Sequence, residues 1–561
     1  MIAVDKNKEL CCGCEACVQK CPVNCIAMEQ DEEGFQYPYI DETKCIHCNA
    51  CEKVCPVLMD KRFDAVQEEV YSDPIAYGGW HRDEKVRENS SSGGAFTLFA
   101  DEVLRKNGIV YGAAFKDSCT VAHVSVRSKK DLTRLHGSKY VQSNMHEVYS
   151  EVQKDLKDGK TVLFSGTPCQ NAGLLSFLGH TDKRLYLLDF ICHGVPSPGV
   201  FSHYIDYLSQ NKHSEVTDFK FRVKDKGWNQ SGLQLGTKIS FSDGSVIRNY
   251  PALKDPYMNG FLEDVYLRPS CYSCPFKKIP KYTSDITIAD FWGINRVMPE
   301  MNDGKGTSLI LIHNKHGEEL FNSVKDNFVF KACPDWKITV RKNQTLLKSA
   351  VITEDREGFY ELLNKRGFGA AAKKYLSTAR TIRKKAGKIA WNKFEATLFK
   401  SVSTACGLLN RPLSEELWYH LLQFVKFCIV GVSNVIVSYT INISTLKVLS
   451  LINENLSYDY VIANTVAFIL AVYWSYFWNS RKVFSMSHAG KADRRRTLLR
   501  TYACYGFTGI ILNNVLSTFW IKGLGISKYI SPLLNLFITI PVNYLTNKYW
   551  AYAKKDESEN G

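Results

Sequence analysis

Two cysteine runs constrain this chain more than any other feature. They are Cys11-Cys12-Gly13-Cys14-Glu15-Ala16-Cys17-Val18-Gln19-Lys20-Cys21-Pro22 and Cys45-Ile46-His47-Cys48-Asn49-Ala50-Cys51-Glu52-Lys53-Val54-Cys55-Pro56. Each follows the pattern C-x2-C-x2-C-x3-C-P, in which three closely spaced thiolates bind one face of an iron–sulfur cube and the fourth reaches a second cube. The spacing assigns Cys11, Cys14, Cys17 and Cys55 to one [4Fe-4S] cluster, and Cys45, Cys48, Cys51 and Cys21 to another. Zinc sites use ligand pairs rather than two quartets ending in Cys-Pro. Cys12 and Cys25 are left over. A chain built on this pattern is a one-electron carrier before anything else.

The remaining 500 or so of the 561 residues leave room for roughly three domains more. The 19 cysteines, mostly in C-x2-C spacings, point to a reducing compartment where thiolates are kept for metal. Met1-Ile2-Ala3-Val4-Asp5-Lys6 runs straight into the first motif, so no secretory signal is expected. The formal charge is +14. Much of the excess lies in the C-terminal third beside apolar runs, which favours a membrane surface over nucleic acid, and no basic-aromatic module is present.

Residues 1–58 read as a small α+β unit of the two-cluster ferredoxin type, with Gly34 to Ile40 as a strand pair between its halves. From 75 to 370 strands alternate with helices, the signature of an α/β domain with parallel pairing. Expected strands include Ile75–Trp80, Gly108–Phe115, Thr161–Phe164 and Leu185–Ile191; expected helices include Glu147–Lys157 and Leu174–Leu178. Between 219 and 250 the pattern alternates and breaks at Asp243-Gly244, a hairpin signal. Residues 371–419 form a basic amphipathic linker, read equally well as a helix on an anionic bilayer or a solvated connector.

Four apolar segments then predict an all-α, four-helix transmembrane domain over 420–553: Phe424–Ile452, Tyr460–Phe477, Thr501–Ile521 and Ile530–Ala551. Cations cluster at 481–500 and at Lys554 and Lys555, so both termini and the catalytic part are expected in the cytoplasm and the chain in the cell membrane. This part is duplicated: Phe427-x3-Gly431-x-Ser433 recurs as Tyr502-x3-Gly506-x-Thr508, and Tyr476-x2-Asn479 as Tyr544-x2-Asn547. Asn434, Asn464, Asn513, Asn514, Asn535 and Asn543 are expected to face the bundle interior, because lipid cannot satisfy them.

A third metal site follows from strand ends. Cys169 lies just past one expected strand and Cys192 ends the next, so a parallel sheet brings both to its carboxyl edge, where ligands bind. Cys271-x2-Cys274-Pro275 completes four thiols, suited to a further [4Fe-4S] cluster, with zinc as the alternative.

At this point the sequence resembles the coenzyme F420-reducing hydrogenase beta-subunit family. The motifs that carry the likeness are Ser90-Ser-Ser-Gly-Gly-Ala95, His136-Gly-Ser-Lys-Tyr-Val-Gln-Ser143, Ser165-Gly-Thr-Pro-Cys-Gln170, Asp189-Phe-Ile-Cys-His-Gly194, Cys271-Tyr-Ser-Cys-Pro275 and Ser284-Asp-Ile-Thr-Ile-Ala-Asp-Phe-Trp-Gly293, in that order. The resemblance implies FAD or FMN near the sheet edge, with Cys169, Cys192, Cys271 and Cys274 holding the adjacent cluster. The residues suit a flavin: Ser92, Gly93 and Gly94 open a helix whose N–H groups can meet a phosphate or ring. Ser138, Lys139 and Tyr140 supply a cation and polar groups, and Gly166, Thr167 and Pro168 allow close backbone approach. His193 and Asp290 are the proton-transfer candidates; a structural histidine and a turn aspartate are the plainer readings. Residues 420–553 resemble GtrA-like membrane proteins, which implies lipid and polyprenyl-linked sugar as partners beside a redox donor protein or reduced cofactor. The expected function is a membrane-attached iron–sulfur flavoprotein oxidoreductase in cell-surface polysaccharide or lipid-linked sugar metabolism. An F420-dependent oxidoreductase and a sugar-lipid flippase with a redox-sensing part are the alternatives.

Overall fold

The computed structural model describes residues 8–58, 70–228, 235–277, 284–378, 380–381, 391, 393–395, 397–399, 401–404, 415–452, 459–484, 491–526 and 531–552. They form two compact units, Met1–Lys385 and Ala386–Gly561. Much of the expected basic linker lies outside the described residues, as do Lys554 and Lys555.

The cysteine-rich segment carries an antiparallel pair, β1 (Ile26–Gln30) and β2 (Gln36–Ile40), between two single-turn helices, Ala16–Gln19 and Ala50–Lys53. Those helices follow Glu15 and Asn49, both at left-handed φ, which turns each cysteine loop back on itself.

The larger sheet has eight strands: β3 (Val70–His81), β4 (Ile109–Phe115), β5 (Val121–Val126), β6 (Val162–Ser165), β7 (Leu185–Phe190), β11 (Ile286–Asp290), β12 (Ser308–Asn314) and β13 (Phe328–Cys333). Their order is β13-β3-β12-β11-β7-β6-β4-β5. Only the centre is parallel, β4 to β6 to β7 to β11. Both flanks are antiparallel, so the expected α/β sheet is a mixed one. Strands buried on both faces read as apolar runs whatever their pairing, which is why the direction of β3 and β12 is not visible locally. Helix Val148–Lys157 lies where helical periodicity places it, whereas the helix expected only over Leu174–Leu178 begins six residues earlier, at Pro168, because Thr167 caps it and a proline suits its first turn.

A second sheet, β8 (Val216–Val223), β9 (Gly236–Phe241) and β10 (Val246–Asn249), contains the expected hairpin, with Asp243 and Gly244 in its turn. It packs on an aromatic core of Phe201, Tyr204, Phe219, Phe221 and Tyr257. Burying each such ring is worth roughly 1.5–3 kcal/mol.

The cysteine-rich segment is docked rather than tethered. The Glu15 carboxylate accepts the backbone N–H groups of Met145 and His146 at 2.9 and 3.0 Å, and Gln19 Oε1 accepts that of Tyr149 at 2.9 Å. These cap the start of helix Val148–Lys157, where N–H groups lack intrahelical partners. On the other side Gly34 and Gly199 approach so closely that a Cβ on Gly199 would lie 2.6 Å from the Gly34 Cα.

In the C-terminal unit the helices are Glu415–Ile452, Asp459–Trp478, Lys491–Gly506 continuing through Asn513–Thr518, and Ser531–Thr546. Among the described residues one helix, Leu417–Ile452, is long and apolar enough on its own to cross a membrane. The duplication is visible in the backbone. The second helix ends in a wide π turn at Asn479–Val483 and the fourth in another at Asn547–Ala551. The N–H of Phe484 closes on Asn479 O at 2.9 Å and that of Tyr552 on Asn547 O at 2.8 Å. The two closing rings, Phe484 and Tyr552, stack on each other at 4.5 Å. Of the asparagines expected inside, Asn535 is buried and bonded to Asn513 and Ser517, and Asn543 accepts from Thr508. Asn464 and Asn514 are instead exposed, Asn464 paired with Asn442 at 2.7 Å.

Candidate functional site

The carboxyl edge of the central strands gathers thiols. Cys169 is in the first turn of helix Pro168–Leu178, whose start is fixed by a capping box between Thr167 and Gln170 and by Pro168. The Thr167 hydroxyl also lies 3.1 Å from Cys169 Sγ. Cys192 follows the end of β7, Cys271 lies in the turn Pro269–Ser273 and Cys274 directly follows that turn. All four line one pocket with Pro168, Phe190 and Phe276. The backbone N–H of Val195 donates to Cys271 Sγ at 3.4 Å.

Burial pushes the Cys192 thiol up to about 12 and the Cys274 thiol up to about 11, with mutual repulsion of the sulfurs adding to it. As free thiols they would hold their protons; a bound cationic centre is what displaces protons from such a set. Among the described residues no three thiol sulfurs lie within 4.8 Å of one another. Thiolates at ~2.3 Å from a single tetrahedral zinc would be only about 4 Å apart. The donor set therefore fits the corners of a multi-iron cluster better than one zinc ion.

Cys11, Cys14, Cys17 and Cys55 line a second pocket, as their spacing anticipates. Cys21, Cys45 and Cys51 pack together with Cys25, Ile26 and Ile40, and Cys48 is exposed. The Arg268 side chain, 0% exposed, donates to Cys11 O at 2.7 Å, to Cys11 Sγ at 3.4 Å and to Gln142 Oε1 at 3.0 Å. It is a buried cation on the sulfur of an expected ligand, and hydrogen bonds to ligand sulfurs set cluster potential. Nothing in the local sequence around Arg268 signals this partnership, which spans 257 positions. Cys12, left over by the motif, lines both pockets.

The two loops expected at a flavin are brought together. Ser138 donates from N and Oγ to Ser91 Oγ, both at 3.1 Å. Ser92 Oγ donates to Thr307 O and the Gly93 N–H to Ser308 Oγ, each at 3.0 Å. Gly94, at φ 91°, caps the helix Ala95–Arg105. Tyr140 packs on Phe221 and Phe261. Two cations that sequence reasoning passed over join them. Lys224 Nζ donates to Ser92 O and Arg87 O, both at 2.6 Å, and Arg222 pairs with Asp290. Arg222 lies near the end of β8 and Lys224 just past it, so the pair Arg222-x-Lys224 at a strand end is the signal that could have found them. Burial, helped by the neighbouring Arg87 charge, lowers the Lys224 amine to about 8.

Other expected residues are placed elsewhere. Lys139 turns to the carbonyls of His136 and Arg134, at 2.9 and 3.4 Å, and burial lowers it to about 7. Pro168 lines the thiol pocket and Thr167 caps the helix behind it, while Gly166 sits against Asn171 Oδ1. His193 is not among the pocket-lining residues; its Nε2 is 2.6 Å from Asp264 Oδ1 and its ring meets Phe261 edge-on. Asp290 is engaged by Arg222 rather than free, although its Oδ1 and Arg222 Nη2 each lack a partner.

Comparison with known proteins gives four family matches. Residues 10–59 match the 4Fe-4S dicluster domain. Residues 76–150 and 159–335 match the N-terminal and C-terminal parts of the coenzyme F420 hydrogenase/dehydrogenase beta subunit. Residues 426–552 match the GtrA/DPMS transmembrane domain. A ferredoxin of Hydrogenibacillus schlegelii, "Ferredoxin 7Fe", is 46% identical over 63 residues, 11% of this chain and 74% of that protein. A ferredoxin of Mycolicibacterium smegmatis is 46% identical over 43 residues, 8% of this chain and 36% of that protein. The cell wall teichoic acid glycosylation protein GtcA of Listeria innocua is 27% identical over 99 residues, 18% of this chain and 68% of that protein. A chain of the F420-reducing [NiFe] hydrogenase complex from Methanosarcina barkeri aligns with 14% identity and a TM-score of 0.32, over 55% of this chain and 91% of that one, a level that carries no argument. The chain carries the N-terminal and C-terminal domains of the coenzyme F420 hydrogenase/dehydrogenase beta subunit, with a 4Fe-4S dicluster domain in front and a GtrA/DPMS transmembrane domain behind.

Proposed function

We propose that the chain is a membrane-attached oxidoreductase that passes electrons between a ferredoxin-type donor and a flavin-linked substrate. Its cofactors would be two [4Fe-4S] clusters on Cys11, Cys14, Cys17, Cys55 and on Cys45, Cys48, Cys51, Cys21, a third on Cys169, Cys192, Cys271 and Cys274, and FAD or FMN. When bound, the clusters supply one-electron transfer and the flavin couples it to two-electron chemistry. The observation that carries this reading is the gathering of four partly buried thiols from three separate chain segments at one sheet edge.

The chain's own residues support those groups in distinct ways. The exposed Cys48 marks the end of the thiol series nearest solvent, and so the side for a donor protein. Arg268 holds the Cys11 loop against the larger domain. The tied Ser90–Gly94 and Ser138–Tyr140 loops, with Lys224 and Arg222 beside them, offer cations and hydroxyls to a flavin phosphate and ring. Four helical segments anchor the chain in the cell membrane, with the redox part and both termini on the cytoplasmic side. The substrate is assigned to cell-surface polysaccharide or lipid-linked sugar metabolism, on the strength of the GtrA match and the likeness to the Listeria protein.

Anaerobic iron and flavin analysis of the full chain tests the reading. About twelve irons and about one flavin per chain are expected. Substituting Cys169 and Cys271 by Ser should remove about four of the irons. About eight irons in the unsubstituted chain, or zinc in their place, would overturn the third cluster. The same GtrA match favours a second reading, a sugar-lipid transporter whose redox part senses electron supply. Unchanged lipid-linked sugar export in the Cys169 and Cys271 variants would reject a redox role in export.

A further inference from the structure

Cys12 is the one thiol of the first run that the iron–sulfur spacing does not use. It is 9% exposed and belongs to the linings of both pockets. Its side chain interacts with that of Cys14 on one side and that of Cys169 on the other. Under the proposed ligand sets those two sulfurs belong to different clusters. Three sulfurs from two domains thus stand in series.

The surrounding residues hold that series in place. Gln142 Nε2 donates to Cys12 O at 3.1 Å, and its Oε1 accepts from Arg268. Gly13, at φ 67°, has the Arg268 guanidinium and the Gln142 amide packed where a Cβ would go, 2.8 and 2.6 Å away. From the other side Gly173, in the helix Pro168–Leu178 that carries Cys169, abuts the Cys14 side chain at 3.0 Å from its own Cβ position. The wall between the pockets is therefore one thiol thick and backed by close-packed groups on both sides.

We propose that Cys12 is an unligated fifth thiol that couples the two thiol sets. It fills the gap with a polarisable sulfur in reach of both ligand sets and gives its one S–H donor to a single ligand sulfur. It is a positioning residue, not a metal ligand. A sulfur in contact with both ligand sets shortens the through-space gap between them, and a donor to ligand sulfur makes a cluster easier to reduce. The proposal rests on the three-cluster reading above.

The test uses the full chain, purified and reconstituted anaerobically, as wild type, Cys12→Ser and Cys12→Ala. Iron content, EPR of the fully reduced protein and EPR-monitored redox titration are measured on each. Iron per chain should stay at about twelve in all three. At least one potential should shift to more negative values in Cys12→Ala, because the donor to a ligand sulfur is gone. Cys12→Ser, which keeps a donor, should recover most of that shift. A loss of about four irons in both variants would make Cys12 a ligand and overturn the proposal. So would wild-type iron, spectra and potentials in Cys12→Ala. About eight irons in the wild type would instead overturn the three-cluster reading itself, and the proposal with it.

Discussion

Asp290 and Arg222 form an ion pair with side chains only 9% and 11% exposed, and each keeps one atom without a partner. Taking away one member strands the other charge in a poorly solvated site, whereas replacing both by apolar groups does not. Asp290→Ala should therefore lower unfolding stability by about 3–5 kcal/mol, while Arg222→Met combined with Asp290→Leu should be close to neutral. Urea midpoints of the three proteins check this; equal losses in single and double variants would mean that the pair is not an isolated unit. Asp189 gives a pH-dependent counterpart. Burial raises its carboxyl to about 7, against 3.8 in an exposed chain, and Ser284 and Thr287 donate to it. Between those values the folded state keeps a proton that the unfolded state has released. Stability from this group is thus complete below about pH 4 and is lost as pH rises towards 7. Asp189→Asn should flatten that part of the stability–pH curve, measured as Tm from pH 4 to 8. A curve as steep as the wild type's would assign the slope to other groups.

At the level of elements, one tight junction is between two glycines. Gly199 opens the helix Pro198–Lys212 with its N–H on Gly34 O at 3.2 Å, and Ser197 Oγ donates to Glu33 O beside it. Gly199 has ordinary helical geometry, so an alanine there tests space alone. Gly199→Ala should cost about 1–3 kcal/mol and open the β1–β2 turn to protease. Limited proteolysis with mass mapping reads this out, and an unchanged digest would show that the backbones part without cost. Helices such as Val148–Lys157 are legible in the chain, because helical periodicity is a local signal. So are the Asp243-Gly244 turn, the cysteine quartets and the meeting of Cys169 with Cys192, which needs only two successive parallel strands. The antiparallel placement of β3 against β12 and β13 is not legible, because those partners lie far along the chain. Arg268 on Cys11 and His193 on Asp264 escaped for the same reason: each partnership is decided by packing between distant segments. The direction of the asparagines failed differently. A bare apolar stretch says that a polar group needs a partner, and Asn464 finds one in Asn442 on the exposed face.

For the whole molecule, the apolar helical unit and the GtrA/DPMS match lead to a simple expectation. The full chain should sediment with membranes and stay there through high salt and alkaline carbonate, which strip surface-bound proteins. Release by either wash would reduce the C-terminal helices to a peripheral attachment. The redox part has a different mechanical character. Glu15, Gln19, Arg268 and the Gly34–Gly199 contact fasten the cysteine-rich segment on several sides, and Cys12 sits in the wall it shares with the larger domain. A carrier on a tether has to swing between donor and acceptor, and its turnover falls as glycerol thickens the medium. A carrier seated in a common wall has no such stroke, so internal electron transfer here should be indifferent to viscosity, leaving only the encounter with the soluble donor to slow.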